Sequence, residues 1–396
     1  MRLERKKTAR TTRTIRSISV LVALGVLVVL AATVALAATQ APSAWSMFRG
    51  DSALSGRAAG SLAADLKPLW TFKAQEGITS TAAVVNGAVY VGSLDGNLYA
   101  LDLATGKVRW TYKATDEIKS SPAVRDGAVY FGDEMGTFHA LDARTGARRW
   151  TFQAGSGITS SANFSPGAPG APGCIVVGSY DQFLYCLSPR NGAVVWKVET
   201  EGYVHGTPAV AGERVISAGC DGFLRVLNAK DGRELRRVPL GGYVGASPAV
   251  AGSRAFVGNF ENQFLAVDLD GGKVLWRYEH PVRKFPFYSS PALAGESGGT
   301  VVFGGRDKLV HALDAATGKA RWTFSARSAV DASPAVLGNR VFAADKSGQL
   351  FALDVATGRP LWRFDAGAGI EASPAIAAGR LVIGATDGSL YCFGAK

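Results

Sequence analysis

From about residue 66 onward, apolar and polar positions alternate in short bursts broken by Gly-containing turns. One stretch serves as the example. Gly127-Ala128-Val129-Tyr130-Phe131-Gly132 is a continuous apolar run, Met135-Gly136 is a turn, and Phe138 to Asp142 is a second run. Thr145-Gly146 turns again, and Arg148-Arg149-Trp150-Thr151-Phe152 alternates. Runs this short, bounded by turn residues, predict strands of one antiparallel sheet. A Ser-Pro pair, Ser121-Pro122, precedes the first run, and Pro is tolerated at the start of a strand.

The pattern recurs. Ala100 to Trp110 returns as Ala140 to Trp150, Cys186 to Trp196, Val226 to Arg236, Ala266 to Trp276, Ala312 to Trp322 and Ala352 to Trp362. Counting from Trp70, the closing residues are spaced 40, 40, 46, 40, 40, 46 and 40 apart. A fixed period of this size is the signature of a repeat architecture. The start pair recurs at Thr81, Ser121, Ser161, Thr207, Ser247, Ser290, Ser333 and Ser373, which gives eight units. Eight four-stranded antiparallel sheets predict an all-β, eight-bladed β-propeller over residues 66–396. A linear array would need polar caps at both ends. Instead the last unit stops after its third strand, Ser389 to Phe393, while Leu66 to Phe72 is a fourth strand without a unit. Pairing the two closes the ring and removes two exposed edges.

The tryptophans at 70, 110, 150, 196, 276, 322 and 362 read as packing residues between neighbouring blades. A buried Trp covers about 150–250 Å². Arg236 replaces one of them, and its stem is expected to cover the same surface.

Ahead of the repeats the composition changes. Residues 1–16 carry seven basic side chains and one acid, so they hold +6 of the net charge of +11. Apart from one loop, His280 to Tyr288, the remainder has no basic run interleaved with aromatics, and nucleic acid is not an expected partner. Residues 17–38 follow as a membrane anchor or signal peptide, and Ile18 to Ala38 lacks any charge. A helix of that length reaches about 31 Å, enough to cross a bilayer. The basic flank places residues 1–16 in the cytoplasm and the body outside. Ala35-Leu36-Ala37 also suits signal cleavage, so the body is either membrane-anchored or released. Residues 39–65 read as a linker and lead-in. The Arg49-Gly50-Asp51 triplet within them is read as chance rather than as an adhesion signal.

Four cysteines are present. Cys186 and Cys392 take a slot that is alanine in the first copy, which suits small buried residues. A Cys174–Cys186 bridge is disfavoured, because the expected register does not set them opposite each other. No spacing resembles a metal site. There is no phosphate-binding Gly-rich loop, no HExxH and no readable Ser-His-Asp arrangement.

The repeat Ala-x-Asp-x-x-Thr-Gly-Lys-x-x-Trp, seen at 100–110 and 312–322, resembles the tryptophan-docking repeat of pyrroloquinoline-quinone-type propellers. Two groups share it: quinoprotein dehydrogenases and non-catalytic outer-membrane protein assembly factors of BamB type. The lead-in Trp45-Ser46-Met47-Phe48-Arg49-Gly50-Asp51 resembles the second group more. Dehydrogenases of the first group carry an adjacent cysteine pair, which this sequence lacks. Assembly factors of BamB type are usually lipoproteins, and no lipid-attachment cysteine stands here. The resemblance implies a non-catalytic scaffold in the cell envelope whose partners are envelope or outer-membrane proteins, with no cofactor. The alternative it implies is oxidation of an alcohol or sugar with pyrroloquinoline quinone and Ca2+.

Candidate binding residues follow from propeller geometry. The residue two before each start pair should lie on one face near the axis: Thr79, Lys119, Thr159, His205, Gly245, Tyr288, Asp331 and Glu371. They differ from copy to copy, as a site on a symmetric frame would. Asp95, Asp181, Asp221, Asp307 and Asp387 read as turn formers. Asp133, Asn259 and Asp345 precede their turns and are candidates to face the same funnel. The unit after Trp276 is lengthened by His280 to Tyr288. Its His280, Arg283, Lys284, Phe285 and Phe287 suit a partner contact.

Overall fold

The computed structural model describes residues 44–166, 173–295 and 299–395. The expected helix over 17–38 lies outside them. Among the described residues every regular element is a strand, and no helix is long and apolar enough to cross a membrane.

The strands form eight four-stranded antiparallel sheets. Blade 1 runs outward from Ala83–Val85 through Ala88–Gly92 and Asn97–Asp102 to Val108–Lys113. Blades 2 to 7 repeat this order. Blade 8 takes Ala375–Ala377, Arg380–Gly384 and Ser389–Gly394 from the end of the chain, and Lys67–Lys73 from its start. Trp70 pairs with Cys392, and Phe72 with Leu390. The orphan strand therefore closes the ring as the repeat count predicts. A single apolar cluster then runs through the closure, joining Leu390 and Phe393 to Ile78 and Val84.

Burial explains the pattern in the sequence. The second strand of each blade is packed on both faces and reads as an unbroken apolar run, as in Ala128–Gly132. The outermost strand alternates exposed and half-buried residues, as in Arg148–Gln153, because one face meets water. The innermost strands keep only three residues, so the start pair lies just before them rather than within them.

Each indole reaches the next blade. Trp70 Nε1 donates to Leu103 O at 2.9 Å and Trp322 Nε1 to Val355 O at 2.8 Å. The Thr-Gly turn is what admits the ring. Gly106 has φ +71°, and a Cβ there would stand 2.7 Å from the Trp70 ring. Most of these indoles are half-buried rather than enclosed, with Trp196 the buried exception at 8% exposure. Arg236 fills the same place: a Cβ at Gly272 would meet its Cδ at 3.0 Å, and its Nε donates to Asp270 O at 3.2 Å.

Cys174 and Cys186 are disulfide-bonded, contrary to expectation, with Cα atoms 5.5 Å apart. Val176 is the residue directly opposite Cys186, and Cys174 lies two positions along the same strand face. The two cysteines are diagonal rather than facing neighbours, and the twist of the sheet brings that diagonal within bonding range.

The lead-in belongs to the propeller body. Ser46, Ser52, Ala53, Ser55 and Gly56 carbonyls accept the N–H groups of Val124, Val210, Val250, Leu293 and Val336, one from each of five innermost strands. Arg49 is fully buried, with φ +62°, and donates to the carbonyls of Pro291, Ser333 and Pro334. Burial lowers its pKa to about 9, against the opposing pull of Asp51. A side chain so placed is no exposed adhesion signal.

Candidate functional site

Along each innermost segment three positions mark depth. In blade 2 they are Lys119 at the mouth, Ser121 below it and Val124 at the lead-in. The Ser121 level is a belt. Thr81 N–H donates to Ser121 Oγ, Ser121 N–H to Ser161 Oγ, and so on through Thr207, Ser247, Ser290 and Ser333 to Ser373. These seven bonds measure 2.8–3.0 Å and tie the blades together around the axis. This is why a small hydroxyl residue recurs at each start.

Above the belt lies a cavity of about 360 Å³. All eight funnel positions expected from the sequence line it: Thr79, Lys119, Thr159, His205, Gly245, Tyr288, Asp331 and Glu371. Phe48, from the lead-in, joins the lining. Sequence reasoning missed Arg306 and Lys346, which enter from the turns between second and third strands of blades 6 and 7. The signal was available, since those turns share the funnel face and place a cation where other copies have Leu94 or Glu134.

The polar groups of the funnel fall into three clusters. In one, Arg306 holds Asp331 through Nε and Nη2 at 3.0 and 3.1 Å. Lys346 Nζ lies 2.6 Å from Glu371 and 3.7 Å from Asp331. Lys119 Nζ lies 3.0 Å from Glu134 and 3.1 Å from Glu117. Burial works against the Lys119 ammonium, but its bonds to Glu134 and Glu117 outweigh it and raise the pKa. In the third, His205 lies between two phenols, with Nδ1 2.5 Å from Tyr180 Oη and Nε2 2.6 Å from Tyr288 Oη. Burial lowers the His205 pKa to about 4, so near neutral pH one ring nitrogen donates and the other accepts. Arg306 also lies over the Tyr288 ring, 4.8 Å from its centre.

Asp133, Asn259 and Asp345 do not face the funnel. All three are fully buried inside their own turns. Asp133 accepts the N–H groups of Thr137 and Thr115 and bonds His139 Nε2 at 3.0 Å. Asp95 does the same work from two positions later, accepting from Asn97, Gln75 and Tyr99. A backbone clamp is thus filled from either of two sequence positions, which makes the first look like a separate feature.

The lengthened loop is only partly available. Val282 is 81% and Phe285 49% exposed, but Phe287 is 1% exposed. Phe287 packs against Phe303, Tyr278 and His311 and is removed from the partner candidates. Its register next to Gly258, where a Cβ would meet Phe287 Cβ at 2.5 Å, draws it inward. Arg283 Nη1 donates to Asp307 O at 2.6 Å, and Lys284 Nζ lies 2.9 Å from Glu279. His280 Nδ1 accepts the Arg283 N–H at 3.0 Å and shapes the loop. Tyr203 and Tyr243, exposed by 51% and 64%, occupy the matching loops of the two preceding blade junctions. Among the described residues no three His, Cys, Asp or Glu side chains are grouped to hold a metal.

BamB from Moraxella catarrhalis has the same fold, with a TM-score of 0.70 and 19% identity over 84% of this chain and 100% of that one. Quinohemoprotein alcohol dehydrogenase from Comamonas testosteroni gives 0.74 and 16%, over 89% of this chain and 80% of that one. The computationally designed Ika8 protein gives 0.71 and 20%, over 83% and 99%. At such identities the likeness is one of fold. No curated protein matches in sequence. The family model described as "Outer membrane protein assembly factor BamB" matches residues 56–167, 158–237, 181–323 and 306–396, and this chain belongs to that family.

Proposed function

We propose that this protein is a non-catalytic, exported propeller, held at the membrane by its N-terminal segment or released from it, that binds proteins of the cell envelope in the assembly of outer-membrane proteins. Its docking surface is the funnel face at the junctions entering blades 4 to 6. The observation that carries this reading is the run of exposed Tyr203, Tyr243, Val282 and Phe285 on three consecutive loops, with Arg283 and Lys284 beside them. Large apolar side chains grouped with cations on one face are what partner surfaces use.

The alternative cofactor fits this funnel poorly. Pyrroloquinoline quinone is a tricarboxylate, and Lys119, Arg306 and Lys346 already face carboxylates. A Ca2+ ion would need a group of oxygen ligands, and none forms among the described His, Cys, Asp and Glu residues. No redox step is assigned to the protein.

The test is crosslinking of the full-length protein in its native envelope, followed by capture. Replacing Arg283, Lys284 and Phe285 by Ala should abolish at least one captured envelope partner while the melting temperature holds. An unchanged set of partners would refute the loop surface.

A further inference from the structure

The funnel is walled and floored, each of its three cations is paired with a carboxylate, and we propose that it binds a small neutral saccharide. This stands apart from any partner bound on the outer loops. The cavity of about 360 Å³ is ringed by the eight funnel positions, and Phe48 meets it from the lead-in, which crosses the axis on the far side of the belt. That volume is at the small end of ligand sites, which span roughly 300–1,000 Å³.

The polar groups point to hydroxyls rather than to charge. Each of the seven belt oxygens between Ser121 and Ser373 accepts an N–H from the neighbouring blade, so its own O–H proton remains to donate. Those side chains are at most 5% exposed and line the cavity. Thr79 Oγ1, in the same wall, is buried without a hydrogen-bond partner. A buried hydroxyl in that state gains from a ligand that supplies one.

Higher up, Arg306–Asp331 and Lys346–Glu371 set donors beside acceptors. Paired groups of this kind match adjacent sugar hydroxyls, each of which donates and accepts. A ligand carboxylate would instead have to displace Asp331 from Arg306. The Phe48 ring, which lines the cavity, offers apolar surface for the C–H face of a sugar ring. No covalent step is involved.

The experiment is calorimetric titration of the full-length protein with glucose, maltose, N-acetylglucosamine and its β-1,4-linked dimer, with glucuronate as the charged comparison. At least one neutral sugar should bind saturably, and glucuronate at least about tenfold more weakly than it. Arg306→Ala and Tyr288→Ala should each weaken that binding by about tenfold or more. Thr79→Val, which leaves both ion pairs in place, should weaken it by a smaller factor with an unchanged melting temperature. No saturable binding of any neutral sugar up to about 10 mM, a preference for glucuronate, or binding untouched by all three substitutions would overturn the proposal.

Discussion

His205 Nε2 stands 2.6 Å from the Tyr288 hydroxyl although 83 residues separate them, and Gly245 is what lets them meet. Gly245 holds the funnel position between theirs, and a Cβ on it would stand 2.9 Å from the Tyr288 ring. One repeat gives up its side chain so that the next can reach across to the one before.

Gly245→Val should therefore push Tyr288 off His205. The expected cost is about 1–3 kcal/mol, as for overpacking of a filled site. Denaturant unfolding measures it. A Tyr288→Phe variant, which loses only the hydroxyl, should cost less.

The His205 environment predicts a pH dependence. Its folded pKa of about 4 is below its ordinary value near 6.5. Between those values the unfolded chain binds the proton and the folded one does not, so stability falls as pH falls from about 6.5 to about 4. The full loss from this group is about 3 kcal/mol. Unfolding curves at pH 7 and pH 4.5 should converge in His205→Gln relative to the parent. An equal pH slope in both would contradict the assignment.

At the end of blade 4 a flexible Arg236 stem, rather than an indole, covers Gly272. Arg236→Trp should exchange the bond to Asp270 O for one to Leu269 O, the position the other indoles use, and add apolar cover, stabilising by about 1 kcal/mol. Trp322→Ala should destabilise by about 2–4 kcal/mol, through lost contact with Gly358 and the lost bond to Val355. Melting temperatures of the two variants should move in opposite directions.

The diagonal Cys174–Cys186 bridge closes a short loop, with a sequence separation of 12. Replacing both cysteines by Ser should cost about 3 kcal/mol. Reductant should lower the parent's stability by a similar amount and leave the double variant unchanged.

Much of this was readable in one dimension. A closing position every 40 or 46 residues, Trp in all copies but the one ending at Arg236, fixes the number of blades, and the unmatched ends at Trp70 and Ser389 fix how the ring shuts. Both follow from local chemistry, since strand period, turn glycines and start pairs are properties of neighbouring residues. The funnel positions were readable too, because the ring places equivalent residues at equal depth.

What the sequence did not disclose depends on contacts between distant segments. Arg306 and Lys346 matter because their turns converge on Asp331 and Glu371. Phe287 looks available in sequence but is drawn under its own loop by Phe303 and His311. Asp133 and Asp95 do one job from two registers, and only the backbone groups they accept reveal it. Local pattern determined the blades, the turns and the closure. Packing across the axis decided which side chains face the funnel, which are spent on holding the frame, and where the lead-in and Arg49 end up.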